Sequence, residues 1–517
     1  MSITKVTYSM IDDSSVNVKD FGAIGDGTTD ATAEIQLAIN SLASYQTLFI
    51  EENYKITNSL TITNKSNIRI TGGGKLFFSS APSSAYIFNL VGTINNLEID
   101  NLTLVGDNNS SYSQHGIGNN SGQTISNTKF HDLNISNINV GISHNADTSG
   151  SWTNGFCYNN YMENLIGTAA GSGYGIHLSK AYNIQIVNNI INNASRHSIY
   201  QGRGENVNVL IEGNTIVNHR KDVYDGSPRM AISCVRSSDV TISNNKFKDC
   251  YDGQIEIAQD KVSSASASNI LIIGNTFTKR KNNTPAVWIG EQLVPTTATV
   301  FKVSVLNNTF DEDASVSGGL GSTIIVLHGT QINIEGNRFR RYNVTTALNQ
   351  CVEVGDTRYI TTDAHISDIV VRNNFATSDN SVAGSRFSYI VDQLCTGSSM
   401  YLIKDNVREG WASEYYFEAT PVNVNSKLKF YQDVVYDLPS IAAGQNSNFS
   451  FTITGCKPTS QVTSKMEYST QVSPIPVYTF GAVNNAVNSA FMCVANTNLT
   501  TATNQPSQTF RFFIEDF

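Results

Sequence analysis

The sequence predicts an all-β solenoid of short strands stacked rung on rung, preceded by a short helix and followed by a separate β domain. Three observations predict it. A phrase of alternating apolar residues ending in Asn recurs through the middle of the chain: NIQIVNNII, NVLIEGNTI, DVTISNNKF, NILIIGNTF, KVSVLNNTF and QINIEGNRF, then the looser DIVVRNNF and MYLIKDNV. Its asparagines, Asn189, Asn214, Asn245, Asn275, Asn308, Asn337, Asn374 and Asn406, are spaced by 25, 31, 30, 33, 29, 37 and 32 residues. Such a period, with β-branched alternation and almost no helical spacing, excludes helical repeats and fits stacked strands joined by turns. The pattern stops after Trp411, which marks a domain boundary.

The chain opens with VNVKDFGAIGDGTTDATAEIQLAIN. Val16 and Val18 are expected to begin a strand and Gly22, Gly25 and Gly27 to make a turn. Asp30 is then placed to cap a helix whose Ile35, Ala38, Ile39 and Leu42 share one face. Such a helix would cover the open end of a solenoid and protect its unpaired strand edge. NLEIDNLTL and TISNTKF read as degenerate early rungs. In each rung Asn tolerates the left-handed backbone of a tight bend and can hydrogen-bond to the Asn of the next coil. After Trp411, VVYDLPSIAAGQNSNFSFTITG reads as a strand, a loop and an alternating strand, which suggests a β-sandwich. The expected division is residues 1–50 for strand and helix, 51–411 for the solenoid and 412–517 for linker and sandwich.

The opening segment resembles, over its whole length, that of the pectate-lyase-like right-handed parallel β-helix found in phage tailspike and capsule-depolymerase proteins. This resemblance implies a homotrimer carried on a phage tail or baseplate, located in the virion and acting at the bacterial surface. Tailspikes usually carry an attachment domain before this segment. Only about fifteen residues precede it here, which leaves a shortened chain or another route of attachment.

Composition narrows the partners. With 517 residues, 40% hydrophobic and 15% charged, the chain can bury a large core. A net charge of −9 with scattered Lys and Arg argues against nucleic acid. No apolar run reaches the roughly 18 residues of a membrane span, and the start lacks a signal-peptide pattern. The seven cysteines lie far apart without metal or redox spacing and read as buried thiols. No metal and no cofactor are expected.

Each rung carries a second short strand after its Asn. In GIHL, SIYQ, AISCV, QIEIA and AVWIG the aliphatics point in, so His177, Tyr200, Ser233, Glu256 and Trp288 point out. Stacked at roughly 4.8 Å per coil, they form one column resembling a sugar-binding strip. Asp-x-Tyr-Asp-Gly occurs twice nearby, with Asp222 and Asp225, then with Asp249 and Asp252, and flanks one edge of that column. Asp-Gly is also ordinary turn chemistry, so a solvated turn competes with catalysis for Asp222, Asp225 and Asp252. Glu256, an acid between two isoleucines, is the stronger candidate. Longer connections between 257 and 270, 289 and 303, and 354 and 369 are expected to wall a groove.

Glycoside hydrolysis commonly uses two carboxyl groups, about 5 to 5.5 Å apart for retention and about 6.5 to 9.5 Å for inversion, and neighbouring coils can supply either. The catalytic candidates are therefore Glu256, Asp225, Asp252 and Asp222. Trp288 offers an aromatic face, while Arg229 and Arg236, with Arg196 and Arg203, could pair with an acidic polysaccharide. Tyr200 and His177 are binding candidates. Glu353 in CVEV shares the outward parity about three rungs further on, roughly 14 Å by the strand spacing, and could serve a distal subsite. Together these point to a depolymerase cleaving a capsule or O-antigen by hydrolysis. A β-eliminating lyase on a uronic acid polymer and a non-catalytic receptor-binding fibre are the alternatives.

Overall fold

The computed structural model describes the chain from residue 15, with interruptions that include 221–225, 227–228, 260–264, 279–283, 291–298, 316–320, 344–349 and 356–365. From Arg386 onward it describes backbone strands, with side chains only at Asn406 and Val407. Two compact units divide it, the first ending at Gly321 and the second beginning at Ser322.

The first unit is a parallel β-solenoid. One coil shows the plan: Ala181–Val187 lies in a first sheet, Ile190–Ala194 in a second and His197–Gln201 in a third. Each strand pairs in parallel with its counterpart one coil on, to Asn206–Glu212, Thr215–Val217 and Ile232–Val235. The alternation in the sequence sets what each coil buries. Ile184, Ile186, Ile191 and Ile199 are all fully buried. Where the coils carry Phe at the inward position of the second sheet, Phe247, Phe277 and Phe310 stack at centroid spacings of 4.8 and 4.6 Å. The early rungs are strands too, Thr93–Asp100 with Thr103–Val105, and Thr124–His131.

The Asn ladder forms, with one correction. Asn189 Nδ2 donates to Asn214 Oδ1 at 2.9 Å, and the same bond repeats from Asn214 to Asn245, Asn245 to Asn275 and Asn275 to Asn308 at 3.0 Å. Each ladder Oδ1 also accepts the preceding ladder residue's backbone N–H, as Asn214 Oδ1 does from Asn189. The left-handed residue, however, is the one before the ladder Asn: Asn188, Gly213, Asn244, Gly274 and Asn307, all at φ between 53° and 67°. The ladder side chain must point inward to bond along the stack, so the bend falls on its neighbour. That explains why Asn or Gly precedes the ladder residue at these five coils. A second, exposed ladder runs along the first sheet, from Asn208 to Asn183 (2.8 Å) and Asn183 to Asn154 (3.1 Å), and here the bonded residues are themselves left-handed.

At the N-terminus the helix is Thr32–Ser41, with Ile35, Ala38 and Ile39 fully buried and Leu42 beside them. Asp30 stands one residue before the cap position, where it accepts the Thr32 N–H at 3.1 Å. Gln36 pairs both ways with the backbone of Thr61, at 2.7 and 2.9 Å. Thr61 lies in Leu60–Thr63, the end strand of the third sheet, so a helix side chain satisfies that edge. Two details differ from expectation. Val18 belongs to a 3-10 turn, Val18–Phe21, because the Asn17 side chain accepts the Lys19 N–H and starts it. The Gly27 region forms a strand, Asp26–Asp30, pairing with Asn53–Ile56.

The second unit carries parallel strands of the same kind, with ladder bonds from Asn337 to Asn374 (3.0 Å) and Asn374 to Asn406 (2.9 Å). Beyond Trp411, Ser413–Phe417 and Lys427–Tyr436 still pair in parallel with Arg386–Ile390 and Met400–Lys404, so the parallel stack runs past the boundary expected there before antiparallel pairing begins. Lys427–Tyr436 pairs with Gln508–Glu515, which also pairs with Gln461–Glu467, and Asn446–Thr452 pairs with Ser489–Ala495. Cys157, Cys234, Cys250 and Cys351 are buried thiols. The other three cysteines lie outside the described side chains. Among the described residues no helix is long and apolar enough to cross a membrane.

Candidate functional site

The outward column exists in register on the third sheet. His177 lies opposite Tyr200, Tyr200 opposite Ser233, Ser233 opposite Glu256 and Glu256 opposite Trp288. Ile255 and Ile257 anchor the central strand, both fully buried. Ser233 Oγ donates to Glu256 Oε2 at 2.6 Å, a charge-assisted length that fixes the carboxylate against the preceding coil.

Pointing away from the core does not leave these groups open to solvent. His177, Ser233 and Trp288 are 6%, 1% and 8% exposed, whereas Glu256 and Tyr200 keep more surface. The Trp288 indole N–H donates to the Gly290 carbonyl at 2.7 Å, so the ring is a seated side chain rather than an open aromatic platform.

Asp252 is not a solvated turn residue. It is 1% exposed, and its carboxylate accepts the backbone N–H of Arg229 at 3.1 Å. The same short segment is held twice more: His219 Nε2 donates to the Arg229 carbonyl at 2.9 Å and His197 Nδ1 to the Met230 carbonyl at 2.6 Å. Burial lowers both imidazoles, His219 to a pKa of about 4, so each stays neutral as a donor of fixed tautomer. Three side chains thus pin the point where the long connection rejoins the third sheet. Asp249 of the same motif takes a left-handed bend (φ 54°). Asp222, Asp225 and Arg203 lie outside the described residues, as do parts of all three longer connections.

The remaining candidates spread out. The Arg196 guanidinium lies 5.7 Å from the centroid of the Tyr174 ring. Arg236 takes a left-handed backbone (φ 54°), with its pKa lowered by burial. Glu353 belongs to the second unit, is 2% exposed and accepts a short hydrogen bond from Ser322.

Sequence reasoning missed an aromatic cluster. Tyr174 stacks with His197 and Tyr200 at 5.7 and 5.3 Å and meets His177 in a tilted contact at 5.4 Å, and His177 stacks with Tyr200 at 5.3 Å. Tyr86 stacks on His115 at 4.4 Å. Tyr86, His115, Tyr174, His177 and Tyr200 line one cleft of about 250 Å³ on this face. Strict alternation places Tyr174 with the inward Ile176, yet Tyr174 and His177 both reach the cleft. Beside this position on three coils runs a column of glycines, where a Cβ on Gly116, Gly141 or Gly175 would stand 2.3 to 2.6 Å from a carbonyl of the next coil. The coils pass too closely there for a side chain. The usable signal was the recurrence of Tyr86, His115, Tyr174 and His197 in register, two residues before the inward Phe88, Ile117, Ile176 and Ile199.

Among the described residues one group could offer metal ligands: Glu98, Asp100 and His131 on the first sheet, with atoms within 4.8 Å of one another. Arg69 already takes both Asp100 oxygens at 2.7 and 2.9 Å, and Thr71 adds a third bond at 2.7 Å. His131 stacks on Tyr158 at 4.4 Å. This is an ion network, complete in itself.

No protein-family model and no curated protein matches the sequence. Solved structures do match. The catalytic unit of a thermostable GH87 α-1,3-glucanase from Streptomyces thermodiastaticus superposes with a TM-score of 0.56 at 18% identity, covering 79% of this chain and 70% of that one. The Dettilon tailspike protein gives 0.54 at 13% identity, covering 97% and 94%. A tailspike mutant of E. coli bacteriophage HK620, in complex with a pentasaccharide, gives 0.55 at 13% identity, covering 97% and 93%. The chain has the tailspike fold. The expected right-handed parallel β-helix is therefore shared with phage tailspikes and with a glycoside hydrolase.

Proposed function

We propose that this chain is a phage tailspike depolymerase that cleaves a bacterial capsule or O-antigen internally by glycoside hydrolysis. The observation that carries the reading is Glu256: a carboxylate on a rigid strand, hydrogen-bonded by Ser233 and flanked by Trp288, on the face that also bears the aromatic cleft. Glu256 acts as general acid or nucleophile. Its partner is one of the aspartates at the edge of the column, Asp225, Asp222 or Asp252. A β-helix suits this chemistry because neighbouring coils hold two carboxyls at a separation fixed by the backbone. The tailspike fold supports a place on the phage tail.

Mass spectrometry of products from a panel of capsular polysaccharides tests the reading. Fragments carrying one added water per cleavage are expected. Unsaturated uronate ends, absorbing in the near ultraviolet, would replace hydrolysis by elimination, and a panel left uncut would leave a receptor-binding fibre.

The outer face of the first sheet supports assembly into a homotrimer. Phe156, Leu210 and Leu271 occupy one outward column there, and Val187, Ile273 and Leu306 the next, all half-buried within a single chain. Gln185 and Thr241 interrupt the first column and Glu212 and Ser243 the second, so the apolar side chains form two broken columns that the matching face of a second copy would cover. Light scattering of native protein is expected to give three times the chain mass; a monomer would remove the trimer from the proposal.

A further inference from the structure

We infer that the cleft lined by Tyr86, His115, Asn145, Tyr174 and Tyr200 is a subsite for one uncharged sugar residue, a hexose or N-acetylhexosamine. This rests on the reading above, that the outer face of the third sheet carries polysaccharide, and deepens it by naming the class of sugar.

The argument is one of size, charge and unmet hydrogen bonding. The volume, about 250 Å³, falls below the roughly 300–1,000 Å³ of sites that hold a drug-sized ligand, which fits a single ring. Among the described residues the lining contains Ser, Asn, Gly, Tyr and His but no Lys, Arg, Asp or Glu. His115 does not supply a charge either, because desolvation lowers its pKa to about 3, while Ser143 Oγ lies 2.7 Å from its Nδ1. A carboxylate entering here would give up its hydration with no Lys or Arg among the described lining residues to face it, a cost a neutral ring does not meet. The Arg196 guanidinium lies 5.7 Å from the centroid of the Tyr174 ring and is not among those lining residues. Hydroxyls, by contrast, find a use. Asn145 Oδ1 is buried with no hydrogen-bond partner, an acceptor that a sugar O–H can satisfy. The Tyr86 hydroxyl is already engaged with Asn120 Oδ1 at 3.1 Å, which keeps the ring edge in place. The Tyr and His rings supply the apolar surface that a pyranose C–H face packs on.

The test is saturation-transfer NMR on the full chain, with methyl glycosides of glucose, galactose, mannose and N-acetylglucosamine set against methyl glucuronide and methyl galacturonide. At least one neutral glycoside should show transfer, reduced fivefold or more in Asn145→Ala, and the uronides should show none. Circular dichroism should show the variant folded. Transfer to a uronide equal to that of the neutral glycosides would overturn the inference. So would an absence of transfer from every neutral glycoside, or a signal unchanged in Asn145→Ala. Cleavage of polysaccharide is read separately. Neutral-glycoside binding that depends on Asn145 in a chain that cuts nothing would sink the depolymerase reading alone.

Discussion

Glu256→Gln is expected to cut turnover on a susceptible polysaccharide by two orders of magnitude or more while leaving melting temperature and oligomeric state near wild type. The separation follows from how the residue is held. Its neighbours Ile255 and Ile257 are fully buried and carry the strand, so the backbone does not depend on residue 256. Ser233 donates to Glu256 Oε2 at 2.6 Å, and the Gln carbonyl can accept the same bond. What Gln removes is the ionisable group, and loss of a positioned acid or base typically costs about 10²–10⁴ in rate. Of the three candidate partners, Asp252→Asn should be the mildest, because Asp252 is already engaged with the Arg229 amide and Asn can keep that bond. Asp225→Asn should then be inactive. Release of reducing ends is the measurement. Normal release by Glu256→Gln would move the site off this column.

Asn245→Ala, standing for the buried ladder positions, is expected to cost about 3 kcal/mol of stability. Four bonds converge on this side chain. Nδ2 donates to Ile211 O at 2.9 Å and Asn275 Oδ1 at 3.0 Å, while Oδ1 accepts from Asn214 N at 2.9 Å and Asn214 Nδ2 at 3.0 Å. All of these partners are buried, and each orphaned donor or acceptor costs about 1–3 kcal/mol, partly recovered by relaxation. In a stacked repeat the loss should concentrate in the flanking coils, so hydrogen exchange in Asn206–Glu212 and Ser237–Ser243 should rise before that of distant strands. Asn208→Gly is the contrast. It also breaks an Asn–Asn bond, but an exposed one at a left-handed bend (φ 56°) that Gly accepts. Its cost should stay below about 1 kcal/mol. Equal losses in urea unfolding would show that burial is not what gives the inner ladder its weight.

The sequence by itself determined the repeat and the side of each strand. A strand turns its residues over every second position, and this local rule was enough to place Ile255 and Ile257 inside, Glu256 outside, and His177, Tyr200, Ser233 and Trp288 in line with it. The register between coils was equally legible, because one Asn per coil must meet the next Asn at hydrogen-bonding distance. What the tertiary structure decided depends on residues the chain brings together from several coils. Asp252 reads as turn chemistry until Arg229, 23 residues earlier, is seen donating to it. Trp288 points away from the core, yet its ring is buried and its N–H is taken. Which asparagine bends and which one bonds could not be told from the pair Asn-Asn, since both residue types permit both roles. The aromatic cleft was hidden for a sharper reason. At Gly175 the backbone of one coil approaches the Ser198 carbonyl so closely that a Cβ would stand 2.3 Å from it. Beside it Tyr174 and His177, of opposite parity, line one cleft, and a rule that counts by twos along a single strand has no means of registering a contact made by the strand above.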